Sequence, residues 1–135
     1  MRLWHKDLIP VLPRQQLLGQ WRECCAIAKS IHEKGTPNHV LVNRIKLYPD
    51  LSFDKYTAHI YFEMQRRGYH PEWKRYSRWR RPPFENQPNC DDFFCGWHND
   101  RYLYQCIANL QEKYDCGAIS EEEWERIVKI YPEWR

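Results

Sequence analysis

Apolar residues recur at three- and four-residue spacing near the start of the chain, which is the period of an amphipathic helix. This pattern predicts a helix from about Arg14 to Lys34, and Gly35 supplies a stop. The apolar positions are Leu17, Leu18, Trp21, Cys25, Ala28 and Ile31. The preceding Ile9-Pro10-Val11-Leu12-Pro13 cannot be helical throughout. Proline breaks the interior of a helix, and it disfavours helical backbone angles at the residue before it.

A short second helix is predicted from the residues that follow the glycine. Thr36-Pro37 is typical of an N-cap followed by proline at the first helical position. From there the helix is expected to run through Val42 and Ile45 towards Tyr48. Pro49 then ends it.

A longer third helix is predicted after this proline. Ser52 is expected to cap it, with Leu51 and Tyr56 packed together as a hydrophobic staple. Apolar spacing continues to Met64, and Gly68 stops the helix.

From Tyr69 to Gly96 the chain is rich in Pro, Trp, Arg and Asn and has no clear period. This composition predicts a long loop, and long loops in compact domains are often functional. Helical spacing returns near Asp100 and continues to Tyr114. Ser120-Glu121-Glu122-Glu123 is typical of a capping box, here for a last short helix that ends at Pro132.

The predicted fold class is all-α, because no strand pattern and no repeat occurs. Residues 1–135 are expected to form one compact bundle of three main helices with a long basic and aromatic loop, since this length suits a single core. The opening has no apolar signal core and no later run reaches membrane-spanning length, so a cytoplasmic protein is expected. The six cysteines are then expected to be free thiols.

The charge is modest in sum and uneven in place. The net charge is +3, yet seven cations stand between Arg66 and Arg81 against the single anion Glu72. From Asp91 to Glu125 the balance turns acidic. This asymmetry predicts a polyanionic partner on one face.

The predicted first helix also carries a recognisable motif. Gln15-Gln16-Leu17-Leu18-Gly19-Gln20-Trp21-Arg22-Glu23 resembles a helix of the phage and algal-virus pyrimidine dimer DNA glycosylases, the endonuclease V family of dimer excision. Asn38-His39-Val40 matches an element before that family's second major helix, and Glu63 to Tyr69 matches the end of that helix. Pro132-Glu133-Trp134 is similar to a sequence in the viral members, and the opening through Cys25 looks like a bacterial branch.

The resemblance implies two linked reactions. A terminal amine attacks the sugar C1′ and displaces the damaged base as an imine forms, and β-elimination then nicks the strand. Family members expose a threonine amine, whereas the bulky Arg2 is expected to keep Met1 in place, so the α-amine of Met1 is the expected nucleophile. Such an amine has an unperturbed pKa of about 7.7–8.0, which leaves a usable neutral fraction. Lys6 is the first alternative nucleophile.

Glu23 stands at the position of the family's catalytic glutamate, where it is expected to stabilise developing positive charge and assist proton transfer. Without the resemblance it would be interpreted as a solvated helix acid. Arg22 matches a family residue that contacts phosphate. Ala26 and Gln16 replace two further family side chains, so DNA contacts must be redistributed towards the basic loop.

In that loop, cations are expected to follow the DNA backbone while aromatic rings stack on bases or wedge into an opened step. The rings are Trp73, Tyr76 and Trp79. The expected DNA-binding residues are Arg2, Gln15, Arg22, His39, Lys74, Arg75, Arg78, Trp79, Arg80 and Arg81.

The leading interpretation is therefore a monomeric DNA glycosylase with abasic-site lyase activity, acting on damaged double-stranded DNA without a metal or an organic cofactor. A first alternative is a non-catalytic nucleic-acid-binding module, favoured by Arg2 and by the missing family cations. A second is a zinc-stabilised interaction protein, although Cys-x4-Cys-x2-His is not a standard closed zinc spacing. Its ligands would come from Cys90, Cys95, His98, Cys106 and Cys116.

Overall fold

The computed structural model describes residues 2–35 and 39–135. The regular structure in that part of the chain is helical, with no strand, which confirms the all-α class. The α-helices are α1 (Arg14–Lys34), α2 (Val40–Ile45), α3 (Asp50–Arg66), α4 (Lys74–Ser77), α5 (Asp100–Asp115) and α6 (Glu121–Ile130). Short 3-10 turns occupy Lys6–Val11, Cys90–Asp92 and Pro132–Trp134. Within the same part, no helix combines the length and apolar character that a membrane crossing requires.

The helices with the clearest local signals lie where they were predicted. α1 has the expected bounds, and Gly35 ends it with a positive φ of 65°. α5 begins at Asp100 as expected. Before α6, the Ser120 side chain accepts from the Glu123 amide and the Glu123 side chain returns to Ser120, so the capping box is confirmed.

Two predicted helix starts need correction. The Thr36-Pro37 cap lies outside the described residues, and α2 itself begins at Val40 with His39 as its N-cap. Ser52 does not cap α3, because that helix begins two residues earlier and buries Ser52. Pro49, with φ −53° and ψ 144°, already provides the extended backbone that precedes a helix start.

The predicted long loop is an irregular segment that nonetheless supplies part of the core. Trp73 is 5% exposed and Tyr76 is fully buried, so these rings are not free to stack on bases, and that expectation was wrong. The Trp73 ring packs 6.0 Å from Trp21 of α1 and 5.1 Å from Tyr61 of α3, measured between centroids. Burial of large aromatic surface outweighs the loop's polar composition.

One carboxylate ties this segment to α3. Asp54 is fully buried and accepts a hydrogen bond from the Tyr76 hydroxyl. It also accepts from Arg80 Nε at 2.5 Å and from Arg81 Nε at 2.9 Å. Because a buried carboxylate is stable only when its oxygens are paired, the four side chains form one interdependent unit.

Both ends of the chain contribute to one hydrophobic core. Leu3, Leu8 and Leu12 are buried in the same cluster as Ile107 and Ile127. The chain start is thereby drawn into the interior between α1, α3 and α5. All six cysteines are free thiols, as predicted.

Three histidines are buried in this interior, namely His5, His59 and His98. Burial, together with the charges of His5, Lys6 and Arg44, lowers the pKa of His98 to about 2. The His98 Nδ1 accepts a hydrogen bond from the Lys6 backbone N–H at 2.9 Å. The folded protein therefore holds His98 neutral.

Acidification is expected to destabilise the protein through His98. Below pH 6.5 the unfolded chain binds a proton at this residue that the folded chain does not bind, so stability falls as the pH falls. At pH 5 the loss from His98 is about 2 kcal/mol in the free energy of unfolding. Denaturant unfolding between pH 5 and 7 measures it: His98→Asn should flatten the acid limb, whereas His70→Asn, at an exposed position, should leave it unchanged.

Candidate active site

Gln20 of α1 holds the backbone of residues 2–4. Its side-chain oxygen accepts from the Trp4 N–H at 2.8 Å, and its amide nitrogen donates to the Arg2 carbonyl at 3.1 Å. Gln20 is only 1% exposed, and hydrogen bonds shielded from water are electrostatically stronger. A single side chain therefore fixes the backbone at two points.

Two tyrosines complete the attachment of this segment. The Tyr56 hydroxyl of α3 lies 2.7 Å from the Trp4 carbonyl and 2.9 Å from Gln20 Oε1. The Tyr102 hydroxyl of α5 donates to the Leu3 carbonyl at 2.5 Å. Chain ends usually fray unless they are tied down. Here side chains from three helices hold residues 2–4 in place.

Glu23 lies next to this segment. Its Oε2 accepts from the Gln20 amide nitrogen at 3.3 Å, and the same nitrogen donates to the Arg2 carbonyl. The Glu23 carboxylate and the Arg2 carbonyl therefore share one hydrogen-bond donor, the amide nitrogen of Gln20. Burial raises the pKa of Glu23, while Arg22 and the bond from Gln20 lower it in part. A half-buried carboxyl group with a raised pKa is suited to proton transfer.

The Arg2 side chain stays at the surface beside these groups. Its guanidinium lies 5.2 Å from the centroid of the Trp4 ring, and its Nη1 lies 3.8 Å from Cys106 Sγ. The side chain is half-buried, and no carboxylate of the described residues forms an ion pair with it.

Arg22 of α1 lines a cleft of about 420 Å³. Arg75 of α4 lies in the same cleft, together with His70. Two helices thus bring two arginines to one surface depression, and one of them, Arg22, is the neighbour of Glu23 in sequence.

Residues 1–76, more than half of the chain, match the model of a protein family described as pyrimidine dimer DNA glycosylase. The chain belongs to this family. The matched part includes Gln20, Glu23 and Tyr56, and it ends within α4. Membership gives the chain the class of a DNA-repair glycosylase. No curated protein and no solved structure matches it.

Three residues that attach the chain start were missed by sequence reasoning, namely Gln20, Tyr56 and Tyr102. A signal was present for Gln20, because it is a polar residue on the buried face of α1 between Leu17 and Cys24. Tyr56 was interpreted only as an apolar staple. Tyr102 lies beyond the matched residues and has no local signal.

The cations of the predicted loop, from Lys74 to Arg81, fall into two groups. Lys74, Arg75 and Arg78 are exposed, and no carboxylate among residues 2–35 and 39–135 pairs with them. Arg80 and Arg81 are paired with Asp54 instead, although the Arg81 side chain remains 49% exposed. Their proposed DNA contacts stay predictions.

Trp79 lies along the outer side of α1. Its ring centroid is 5.3 Å from that of His32 and 5.9 Å from Lys29 Nζ. The ring is half-buried, so one part of it remains accessible. The part of the chain from Lys74 to Arg81, called the basic segment below, therefore runs beside α1. Its Arg75 reaches the cleft that Arg22 lines.

Two other predicted contacts lie elsewhere. Gln15 lines a separate cleft of about 410 Å³ with Arg14 and Arg67. The His39 Nδ1 accepts from the Val42 N–H at 3.5 Å, which caps α2. The described contacts do not bring either residue to Glu23, and a role for them in DNA binding stays a prediction. Met1 lies outside the described residues.

The alternative nucleophile Lys6 is not placed to act. Its Nζ donates to the Cys90 and Phe93 carbonyls, at 2.6 Å each, and its side chain is almost fully buried. An amine that is buried and donates to two carbonyls is shielded from a DNA strand. Its contacts assign it to holding residues 90–93 against the chain start.

The predicted zinc ligands are not gathered into a site within the described part of the chain. There, no three side chains of His, Cys, Asp or Glu are placed together to hold a metal. Cys106 is buried beside Arg2, whereas Cys116 is exposed at the end of α5. The zinc-stabilised alternative therefore gains no support from these residues.

Proposed function

We propose that this family member is a DNA glycosylase with abasic-site lyase activity that uses the α-amine of Met1 as its nucleophile. Its substrate would be a damaged base in double-stranded DNA, and the family description favours a pyrimidine dimer. The observation that carries the proposal is the attachment of residues 2–4 beside Glu23, through one Gln20 amide. Met1 is joined to Arg2 by one peptide bond, and this bond limits the distance between the Met1 amine and the attached Arg2 backbone.

In this mechanism the neutral amine attacks C1′ of the sugar, and the glycosidic bond breaks as the base leaves with the bonding electrons. About a quarter of an ordinary α-amine is neutral at pH 7.3. The Glu23 carboxylate stabilises the positive charge that develops on the sugar. The attached amine then loses a proton and the C1′–O4′ bond breaks, with a proton taken up at O4′, which gives the imine. Glu23 next takes the C2′ proton, and the 3′-phosphate leaves by β-elimination.

Phosphate contacts are proposed for Arg2, Arg22 and the exposed cations of the basic segment. When a cation without a carboxylate partner binds phosphate, it releases a counterion from the DNA, and no ion pair within the protein has to break. Arg80 and Arg81 are proposed mainly to hold the segment on Asp54, with Arg81 free on one side to reach phosphate. The accessible part of the Trp79 ring is proposed to stack on a base.

The salt dependence of binding tests this assignment. We expect the double variant Arg75→Ala, Arg78→Ala to reduce the slope of log K on log salt concentration by about two, because each lost phosphate contact removes about one. Fluorescence anisotropy on a labelled duplex gives the slope. Arg135→Ala, at a cation paired with Glu125, is the matched control and should leave it unchanged. An unchanged slope in the double variant would assign these arginines to solubility.

Strand incision tests the proposed function itself. Duplexes that differ only in carrying an abasic site, a pyrimidine dimer or no damage are incubated with the protein. We expect cleavage of the abasic duplex with a β-elimination end, cleavage of the dimer duplex, and none of the undamaged one. Binding without cleavage of any duplex would favour the non-catalytic module, which the bulky Arg2 also favours.

A further inference from the structure

A third polar cleft lies beside the chain start, between α2 and the beginning of α5. Its volume is about 250 Å³. It is lined by Arg44, Trp97, Asn99, Arg101, Tyr102 and Gln105. All but the first of these residues lie beyond the part of the chain that matches the family. The family pattern therefore assigns no role to this cleft.

The two arginines of this cleft are charged groups without an acidic partner in the part of the chain that the structure describes. The Arg44 guanidinium lies 4.7 Å from the centroid of the Trp97 ring, and that ring is 2% exposed. Stacking on a fixed ring orients a guanidinium while its N–H donors stay free. Arg101 is exposed on the first turn of α5.

The cleft is continuous with the chain start. Tyr102 belongs to its wall and donates to the Leu3 carbonyl. Burial raises the pKa of Tyr102, and the charges of Arg2 and Arg44 oppose that change. Leu3 stands between Arg2 and Trp4, whose backbone groups bond to Gln20, and the Gln20 amide also donates to Glu23.

We propose that the cleft of Arg44 and Arg101 is a phosphate subsite, which binds a backbone phosphate of the DNA strand that passes Glu23. Two guanidinium forks and the Gln105 amide supply N–H donors that suit phosphate oxygens. Asn99 is already committed, because its side chain caps α5 and donates to the Gly96 carbonyl. The subsite rests on the proposed function only in taking DNA as the source of the phosphate.

The test compares DNA binding by the wild-type protein, Arg101→Gln and the double variant Arg44→Gln, Arg101→Gln. We expect the slope of log K on log salt to fall by about one in the single variant and two in the double. The loss of affinity should be the same for damaged and undamaged duplexes, since a phosphate contact is independent of sequence. Lys113→Gln, near the far end of α5, is the matched control.

The single variant guards against misfolding, because Arg101 is exposed and makes no ion pair among the described residues. Unchanged slopes in both variants, with a wild-type protein that binds DNA, would overturn the subsite and leave the proposed function standing. If the wild-type protein does not bind DNA, inorganic phosphate is titrated while tryptophan fluorescence is followed. A response lost in the double variant would then show an anion site for free phosphate and overturn the DNA assignment, and no response would overturn the site altogether.

Discussion

Replacing Glu23 by glutamine is expected to lower the rate of incision at a damaged base at least about 100-fold, the lower range for loss of a general acid–base group. Glutamine removes the charge that stabilises the sugar cation and the group that takes the proton. Its side-chain oxygen can still accept from the Gln20 amide, so residues 2–4 should stay attached. The free energy of unfolding should change by less than about 1 kcal/mol.

Single-turnover incision of a dimer duplex, with protein in excess, measures this loss apart from binding. Glu33→Gln is the matched control, because Glu33 lies on the same helix and is exposed. That control should keep the wild-type rate. Undiminished turnover by the Glu23 variant would rule out its catalytic role, whatever the fate of the Met1 proposal.

The largest effect on stability is expected at Asp54. Asp54→Asn should lower the free energy of unfolding by about 3 kcal/mol, because it leaves Arg80 and the Tyr76 hydroxyl without their buried acceptor charge. The amide of the new asparagine would also point its own N–H donors at the Arg80 and Tyr76 donors, with which they cannot form hydrogen bonds. Denaturant unfolding at pH 7 measures the change.

Asp50→Asn provides the comparison, since Asp50 is an exposed aspartate in the first turn of the same helix. Its removal should cost no more than about 1 kcal/mol, the range for a surface charge near a helix N-terminus. If the Asp54 variant loses as little as this control, the basic segment is held by the packing of Trp73 and Tyr76 instead of by the ion pairs.

The parts of the fold that the sequence predicted are those with local causes. α1 was bounded correctly because its apolar spacing, the preceding proline and Gly35 all act within a few residues. The burial of Trp73 and Tyr76 has a non-local cause, since their partners lie on α1 and α3. Nothing near Arg80 in the sequence indicates that Asp54 faces it, so Arg80 was interpreted as a DNA-contacting cation.

The residues of the candidate site also divide into those with a local sequence signal and those that only the fold brings together. Glu23 and Arg22 were found through a motif within a single helix, and the family match covers them. The attachment of the chain start depends on Tyr56 and Tyr102, which are 36 and 82 residues away from Gln20 in sequence, and only the folded chain brings them together. Arg101 was invisible as a candidate for the same reason.

Borohydride trapping with abasic-site DNA tests the central claim most directly, because reduction turns the imine into a stable amine bond between protein and sugar. Intact-mass analysis first establishes whether Met1 is the first residue of the purified protein. We predict a covalent adduct that maps to the Met1 α-amine and is lost when that amine is acetylated, while DNA binding is retained. An adduct that survives acetylation and maps to a lysine side chain would contradict the proposed nucleophile. The absence of any adduct from a protein that binds the same DNA would contradict the lyase itself.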